Sequence, residues 1–395
     1  MTGKQGAGRK SSPLSWSNPR LRAVIYQVAA LLAVGFALWY FASTARANLE
    51  RQHIASGFGF FEHTAGFSII QSLIPYSEES SYGRAFLVGL LNTLVVGAIG
   101  TVLATALGFA IGVARLSRNW LVAQLAGAYV EMLRNVPLLL QLFFWYFAIL
   151  RPLPGPRESL TLMPGVYLNN RGIVLPAMEA THSTLAMLAA FACGLALSFF
   201  IHRWARARRL RTGKVFPAAR VNAAIILGLP ALVWAIGGTP LRLEPAVFGS
   251  FDFVGGFRLL PEFVALVLGL SLYTAAFIAE IVRAGIASVS KGQTEAAYAL
   301  GLKPGTTLRL VIIPQALRVI VPPLTSQILN LTKNSSLAVA IAYPDLVSVF
   351  AGTVLNQTGQ AIEVIAITMA VYLAISLATS FAMNVYNARV AIRER

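Results

Sequence analysis

Eight apolar stretches, at about 23–44, 85–114, 121–149, 183–201, 222–238, 261–286, 316–342 and 362–387, decide what this chain can become. Each is close to or beyond the roughly 20 residues that carry a helix across hydrocarbon. Lipid offers no partner to a backbone N–H or C=O. A spanning segment must therefore satisfy its own polar groups, and stretches of this length do so as α-helices. Only 12% of residues are charged, against roughly 25% in soluble domains, and the mean hydropathy is +0.67. The expectation is an all-α integral membrane protein with about eight transmembrane helices. The first stretch is long enough to span and shows no small-residue cleavage pattern, so it does not read as a removable signal.

An even number of spans puts both ends on one side, and the basic residues say which. Segments 1–22, 115–120, 202–221, 288–318 and 388–395 carry 21 of the 32 Lys and Arg residues, with Glu295 and Glu394 their only acids. The opposite loops hold eight, and Arg134, Arg283 and Lys333 fall inside spans. The positive-inside rule then places both termini in the cytoplasm. Residues 1–22 read as a disordered basic tail. A net charge of +17 raises the question of nucleic acid, above all for the arginine-rich loop from His202 to Arg211. Its place between two spans makes anionic lipid headgroups the better partner. One cysteine, Cys193, excludes a disulfide framework, and the four histidines form no ligand pair at helical spacing. No metal site is expected.

Between two apolar stretches lies a polar, basic island, residues 288–314. Thr294 to Leu300 is a run of good helix formers with a hydroxyl at the N-cap position and Gly301 where a C-terminal glycine would stand. A helix of about two turns follows, and Ala296 and Ala297 give it a low-relief face. Lys303-Pro304-Gly305 starts a new direction. An amphipathic connector lying on the membrane surface would show some of the same pattern.

Charges in hydrocarbon are costly and face a cavity or a partner. Glu131 with Arg134, and Glu280 with Arg283, stand three apart, so each can pair on one helix face. Such pairs serve either a transport path or the locking of helix ends. Pro137 breaks the helix after Arg134-Asn135-Val136, and broken helices beside a cavity are common where transporters bind substrate. Asn330 to Ser336 is the most polar run at membrane depth, with Lys333 at its centre; the alternative is a lysine that reaches for the interface. The aromatic run from Phe143 to Phe147 reads as interfacial or packing.

Glu295-Ala296-Ala297, then Gly301 four residues later, then Val311-Ile312-Ile313-Pro314, resembles the EAA loop of ABC importer permeases. Three more segments carry the resemblance. Gly89 to Leu94 through Gly108, Gly112 and Arg115 looks like the first core helix of that family. Glu131 to Phe144 is similar to the second, although Asn135-Val136 stands where a glycine-threonine pair is commoner, and Tyr273 to Ile286 matches the third. The match covers about 85–150 and 262–390 and points to the polar and general L-amino acid importers. It implies a five-helix core split in two, 85–150 and 261–390. To this are added an N-terminal helix with an external loop (23–84) and an inserted pair of helices within 151–260. It also implies a coupling face made of Glu295, Ala296, Ala297, Ala299, Gly301 and Pro314. The implied partners are a cytoplasmic ABC ATPase dimer, a second permease subunit, expected to be a paralogue, and a periplasmic amino-acid-binding protein, in a bacterial inner membrane.

An amino acid carries both charges and needs complementary groups in an apolar cavity. Lys333 and Arg134 are the candidates for its carboxylate and Glu280 for its ammonium, with Asn92, Thr93, Gln141, Tyr273, Asn334 and Ser335 along the path. No G-x-x-x-x-G-K-[ST] occurs, so this chain is expected to bind no cofactor, ATP and Mg belonging to the partner ATPase. A secondary amino acid symporter is the rival reading; no repeat between halves favours it. A membrane enzyme would need a nucleophile–base or His/carboxylate arrangement that the sequence lacks.

Overall fold

A computed structural model describes residues 19–51, 56–180, 182–213, 216–237 and 241–390. The basic tail expected over 1–22 lies, as far as residue 18, outside the described residues, as does the C-terminal stretch 391–395. The first helix, α1 (Pro19–Arg51), exposes almost all of its side chains. α2 (Tyr82–Ala114) opens on Ser81, whose hydroxyl accepts the Arg84 N–H. α3 (Trp120–Asn135) opens on Asn119, whose Oδ1 accepts the N–H groups of Leu121 and Val122. Each satisfies donors that a helix start leaves unpaired.

At Pro137 the chain bends by 106° into α4 (Leu138–Phe143), which continues in wide turns to Leu150. Proline cannot donate to the preceding turn, and the Gln141 amide caps the break by donating to Leu133 O and Val136 O, both at 2.9 Å.

Residues 151–260 hold what the apolar scan did not anticipate. Short strands β1 (Leu160–Met163), β2 (Val166–Asn169), β3 (Gly172–Leu175) and β4 (Ala177–Ala180) precede the helices α5 (His182–Thr212) and α6 (Ala218–Gly237). Strands β5 (Leu241–Glu244), β6 (Val247–Phe248), β7 (Phe253–Val254) and β8 (Phe257–Leu259) follow. β1-β2-β3-β8 form an antiparallel sheet, and β4 pairs with β5 at the foot of the α5–α6 hairpin. Asp252 ties the sheet together, accepting from Arg171 at 2.6 Å and Arg258 at 2.7 Å. Burial alone would raise its carboxyl. The two guanidiniums and the Phe253 N–H outweigh that and hold it below the usual carboxylate range.

The remaining helices are α7 (Pro261–Ala287), α8 (Lys291–Ala299) and α9 (Pro304–Thr307), which runs on through wide turns into α10 (Ile313–Asn334). α11 (Leu355–Thr358) and α12 (Ala361–Val390) follow. Among the described residues, seven helices are long and apolar enough to cross a membrane, eight if the bent α3–α4 pair counts as one span. This is an all-α integral membrane protein, with the small sheets confined to one segment.

Small side chains decide how its core packs. Gly100, Ala104, Gly108 and Gly112 recur every fourth residue on the buried face of α2. An added Cβ at Gly108 would stand 2.6 Å from Ile278 Cβ, and at Gly112 2.7 Å from Ala279 O. The α2 and α7 backbones thus touch, running parallel, so the end of α2 and the α8 end of α7 lie on one side of the bundle. Helices without a hydrophobic drive between them associate through such close approach. α10 returns antiparallel, with Ile320 against Gly285 and Leu331 against Gly100. α5 and α6 pack chiefly on each other, with Gly194 close to the backbone of Ile225 and Ile226, apart from the core of α2, α3, α4, α7, α10 and α12.

Candidate functional site

The coupling face expected over 288–314 is a separate short helix. α8 begins at Lys291 with Ser290 in the N-cap position, one turn earlier than the start expected at Thr294. Gly292 is a poor helix former, and the helix runs through it with support from α10: Gln315 Nε2 donates to Gln293 Oε1 at 3.1 Å. The other end closes as a Schellman turn, with Leu302 N–H to Ala297 O at 3.1 Å and Gly301 N–H to Tyr298 O at 2.9 Å. Gly301 sits at φ +75°. Ala297 is the buried anchor, only 3% exposed. Glu295, Ala296, Ala299, Gly301 and Pro314 are all open to an approaching partner.

The residues expected along a substrate path fall into separate groups. Arg134 does not pair with Glu131; its guanidinium lies 5.1 Å above the Phe277 ring, against which Tyr273 packs at 4.9 Å. Glu280 takes Arg283 at 2.5 Å, as expected, but its second oxygen takes Arg115 from the end of α2. Both carboxylate oxygens are engaged, and they join α2 to α7 at the α8 end. Gln141 is committed to the helix break. Lys333 is exposed, with no ion pair among the described residues, at the end of α10 beside Asn334 and Ser335. Its neighbour Leu331 meets Gly100, while Glu280 lies level with Gly112. Twelve residues of α2 separate those levels, about 18 Å at 1.5 Å each. Lys333 and Glu280 therefore do not bracket one small zwitterion in this conformation.

Asn92 and Thr93 hold backbone. Asn92 Nδ2 donates to Gln71 O and Pro344 O, both at 2.9 Å, and Thr93 Oγ1 accepts the Leu346 N–H at 2.9 Å. Between those contacts lies Asp345, which the sequence reading passed over. It is 1% exposed, accepts the Ser348 N–H at 2.8 Å, and faces the Tyr372 hydroxyl at 3.4 Å. An acid standing alone between the apolar stretches 316–342 and 362–387 was the available signal. The chain reaches this place by reversing at Ala342, the one described non-glycine residue with positive φ, 58°.

On the open side of the core, α2, α10 and α12 enclose a groove of about 390 Å³, lined by Thr93, Gly97, Thr101, Ile328, Thr332 and Thr379 among others. The hydroxyls of Thr93, Thr332 and Thr379 donate to carbonyls of their own helices. The groove is uncharged and mostly apolar.

The membrane bundle presents one polar helix at one end and an apolar groove along its side. Comparison with known proteins gives the family. Residues 104–392 match the binding-protein-dependent transport system inner membrane component. The Escherichia coli (strain K12) protein YhdX is 52% identical over 383 residues, 97% of each chain. The general L-amino acid transport system permease protein AapQ of Rhizobium johnstonii is 51% identical, over 96% of this chain and 94% of its own. The Rhodobacter capsulatus glutamate/glutamine/aspartate/asparagine transport system permease protein BztB is 44% identical over 98% of both. The chain belongs to the family of inner-membrane components of binding-protein-dependent transport systems.

Proposed function

We propose that this chain is the permease subunit of an ATP-driven importer of amino acids, half of a channel whose energy comes from a separate ATPase pair gripping α8. The observation that carries the reading is the build of α8: anchored by Ala297, closed at Gly301, and offering Glu295, Ala296 and Ala299 outward. Movement of the gripped helix would pass through the Gln293–Gln315 contact into α10. The apolar groove along α2, α10 and α12 suits the second permease, and a substrate-binding protein would deliver at the strand end. AapQ and BztB, named for amino acid transport, support the substrate class. Reconstitution with a co-expressed ATPase tests the whole. Uptake should follow ATP and the binding protein; uptake driven by an ion gradient alone, without ATP, would make the chain a symporter.

Lys333 remains the candidate contact for a substrate carboxylate, exposed at the end of α10. A charge-assisted hydrogen bond is worth about 1.5–3 kcal/mol, so Lys333→Met should weaken affinity at the channel by roughly 10- to 150-fold. Because the side chain is exposed in the chain itself, assembly and ATP hydrolysis should persist, and raised substrate should ease the defect. Unchanged uptake would remove Lys333 from the path.

The orientation proposed here puts the α8 end in the cytoplasm. In a Cys193→Ser background, a cysteine at Ser56 should label from outside, and one at Thr212 only after permeabilisation. Equal or reversed labelling would overturn that placement.

A further inference from the structure

The charge on the α5–α6 hairpin is not spread evenly over its tip. From residue 180 to 243 the sequence contains no Asp or Glu, while Arg203, Arg206, Arg208, Arg209, Arg211, Lys214 and Arg220 all lie there. Two of these arginines are occupied by rings. Arg203 lies 5.7 Å above Phe199 and Arg208 5.2 Å above Trp204. His202, Arg206 and Arg209 follow one another at four and three residues, on a single face of α5.

That face is one wall of a pocket of about 330 Å³, with Ala205 as its floor and Phe216 and Ala218 as the facing wall. Ala205 is buried, 7% exposed. Phe216 is fixed by an edge-on contact with Trp204 at 5.2 Å, and the turn between the helices uses Gly213 at φ +69°, its N–H on Arg209 O. Among the described residues no carboxylate pairs with His202, Arg206 or Arg209. The apolar stretch of α5 ends at Ile201 and Trp204 follows within a turn, so the pocket stands at the boundary where hydrocarbon gives way to headgroups.

We infer that this pocket binds the phosphate group of an anionic lipid, seated between the two guanidiniums with His202 beside them. Two planar forks converging on one site match a phosphate's oxygens. The walls of Phe216 and Ala218 accept the apolar part of the ester. The same chemistry would take free phosphate, and the experiment separates the two sources. A bound lipid would hold the hairpin, which has few contacts with the core, at a fixed depth beside the transporter.

The full-length chain, purified in non-ionic detergent, is titrated with short-chain phosphatidylglycerol, short-chain phosphatidylcholine or inorganic phosphate at matched ionic strength, and binding is read by native mass spectrometry. In the double variant Arg206→Gln, Arg209→Gln, phosphatidylglycerol should bind about 30-fold more weakly, as two surface cations are lost. The charge-matched pair Arg203→Gln, Arg208→Gln should change it less than about threefold, since those side chains are held on rings. The pair Arg206→Lys, Arg209→Lys keeps the charge but not the forks and should lose several-fold, which decides the matter should the glutamine pair fold poorly. Displacement of phosphatidylglycerol by inorganic phosphate would support the pocket and show that it reads phosphate alone; no displacement would support a lipid-specific site. Equal losses in the two glutamine pairs would show a diffuse field, and wild-type binding in the pocket variants would show no site; either result overturns the inference.

Discussion

Gly301→Val should abolish uptake and release the ATPase while leaving the chain in the membrane at its normal level. The argument rests on backbone strain. Gly301 holds φ +75° with no atom within 4 Å of where a Cβ would stand, so valine meets no clash and the core is untouched. A β-branched residue in the left-handed region costs of order 1–3 kcal/mol. The Schellman turn would relieve that strain by opening, losing the Leu302 and Gly301 hydrogen bonds that fix the end of α8. α8 has little else to hold it: one buried alanine and one exposed amide pair. A bias of about 2 kcal/mol is roughly 30-fold in population, enough to leave α8 misplaced most of the time. Gly301→Asn should keep most function, because asparagine enters that region at low cost, and Glu295→Lys should match the valine variant through the face instead of the fold. Wild-type uptake with full ATPase co-purification in Gly301→Val would break the link between this turn and coupling.

Legibility followed the length of the signal. Spans of some 20 apolar residues announce themselves, and α7 and α12 lie within a few residues of where the sequence puts them. The short helix α8 was visible because a C-terminal glycine is a local signal. Its first turn was not, because Gly292 argues against a helix that Gln315 then supports from α10. Strands of two to four residues in 151–260 carry too little pattern to stand out beside spanning helices.

Inside the core, spacing showed which side chains could meet and not which do. Glu131 and Arg134 are three apart, yet the Phe277 ring arrives from α7 and takes the guanidinium. Asn92 and Thr93 look like free polar groups in a span until the reversal at Ala342 brings Pro344 and Leu346 against them. Such contacts link residues some 250 positions apart, and no local pattern encodes them. Asp345 is the instructive omission: it follows Pro344 outside the apolar stretches, and its burial arises only when the reversal at Ala342 sets it between the Pro344 and Leu346 contacts.

Glycines on α2 separate the packing of the chain from its pairing with a partner. An added Cβ at Gly112 would stand 2.7 Å from Ala279 O and 2.7 Å from Val282 Cβ. A helix carbonyl cannot swing aside as a side chain can, so Gly112→Leu must push α2 and α7 apart along their length. Overpacking of this kind costs about 1–3 kcal/mol or more. The damage also falls beside Arg115, Glu280 and Arg283, whose pairing needs the two helix ends in register. Gly112→Leu should therefore lower the melting temperature in detergent markedly and deplete the assembled complex. Gly97→Leu is the contrast: nothing lies within 4 Å of its would-be Cβ, and it lines the groove of about 390 Å³. That variant should fold and melt as the wild type does while its side chain fills the groove proposed for the second permease, so co-purification of that partner, and uptake with it, falls with the stability of the chain intact. Should Gly112→Leu melt like the wild type, or Gly97→Leu fail to fold, the division of α2 into a packing face and a groove face would be wrong.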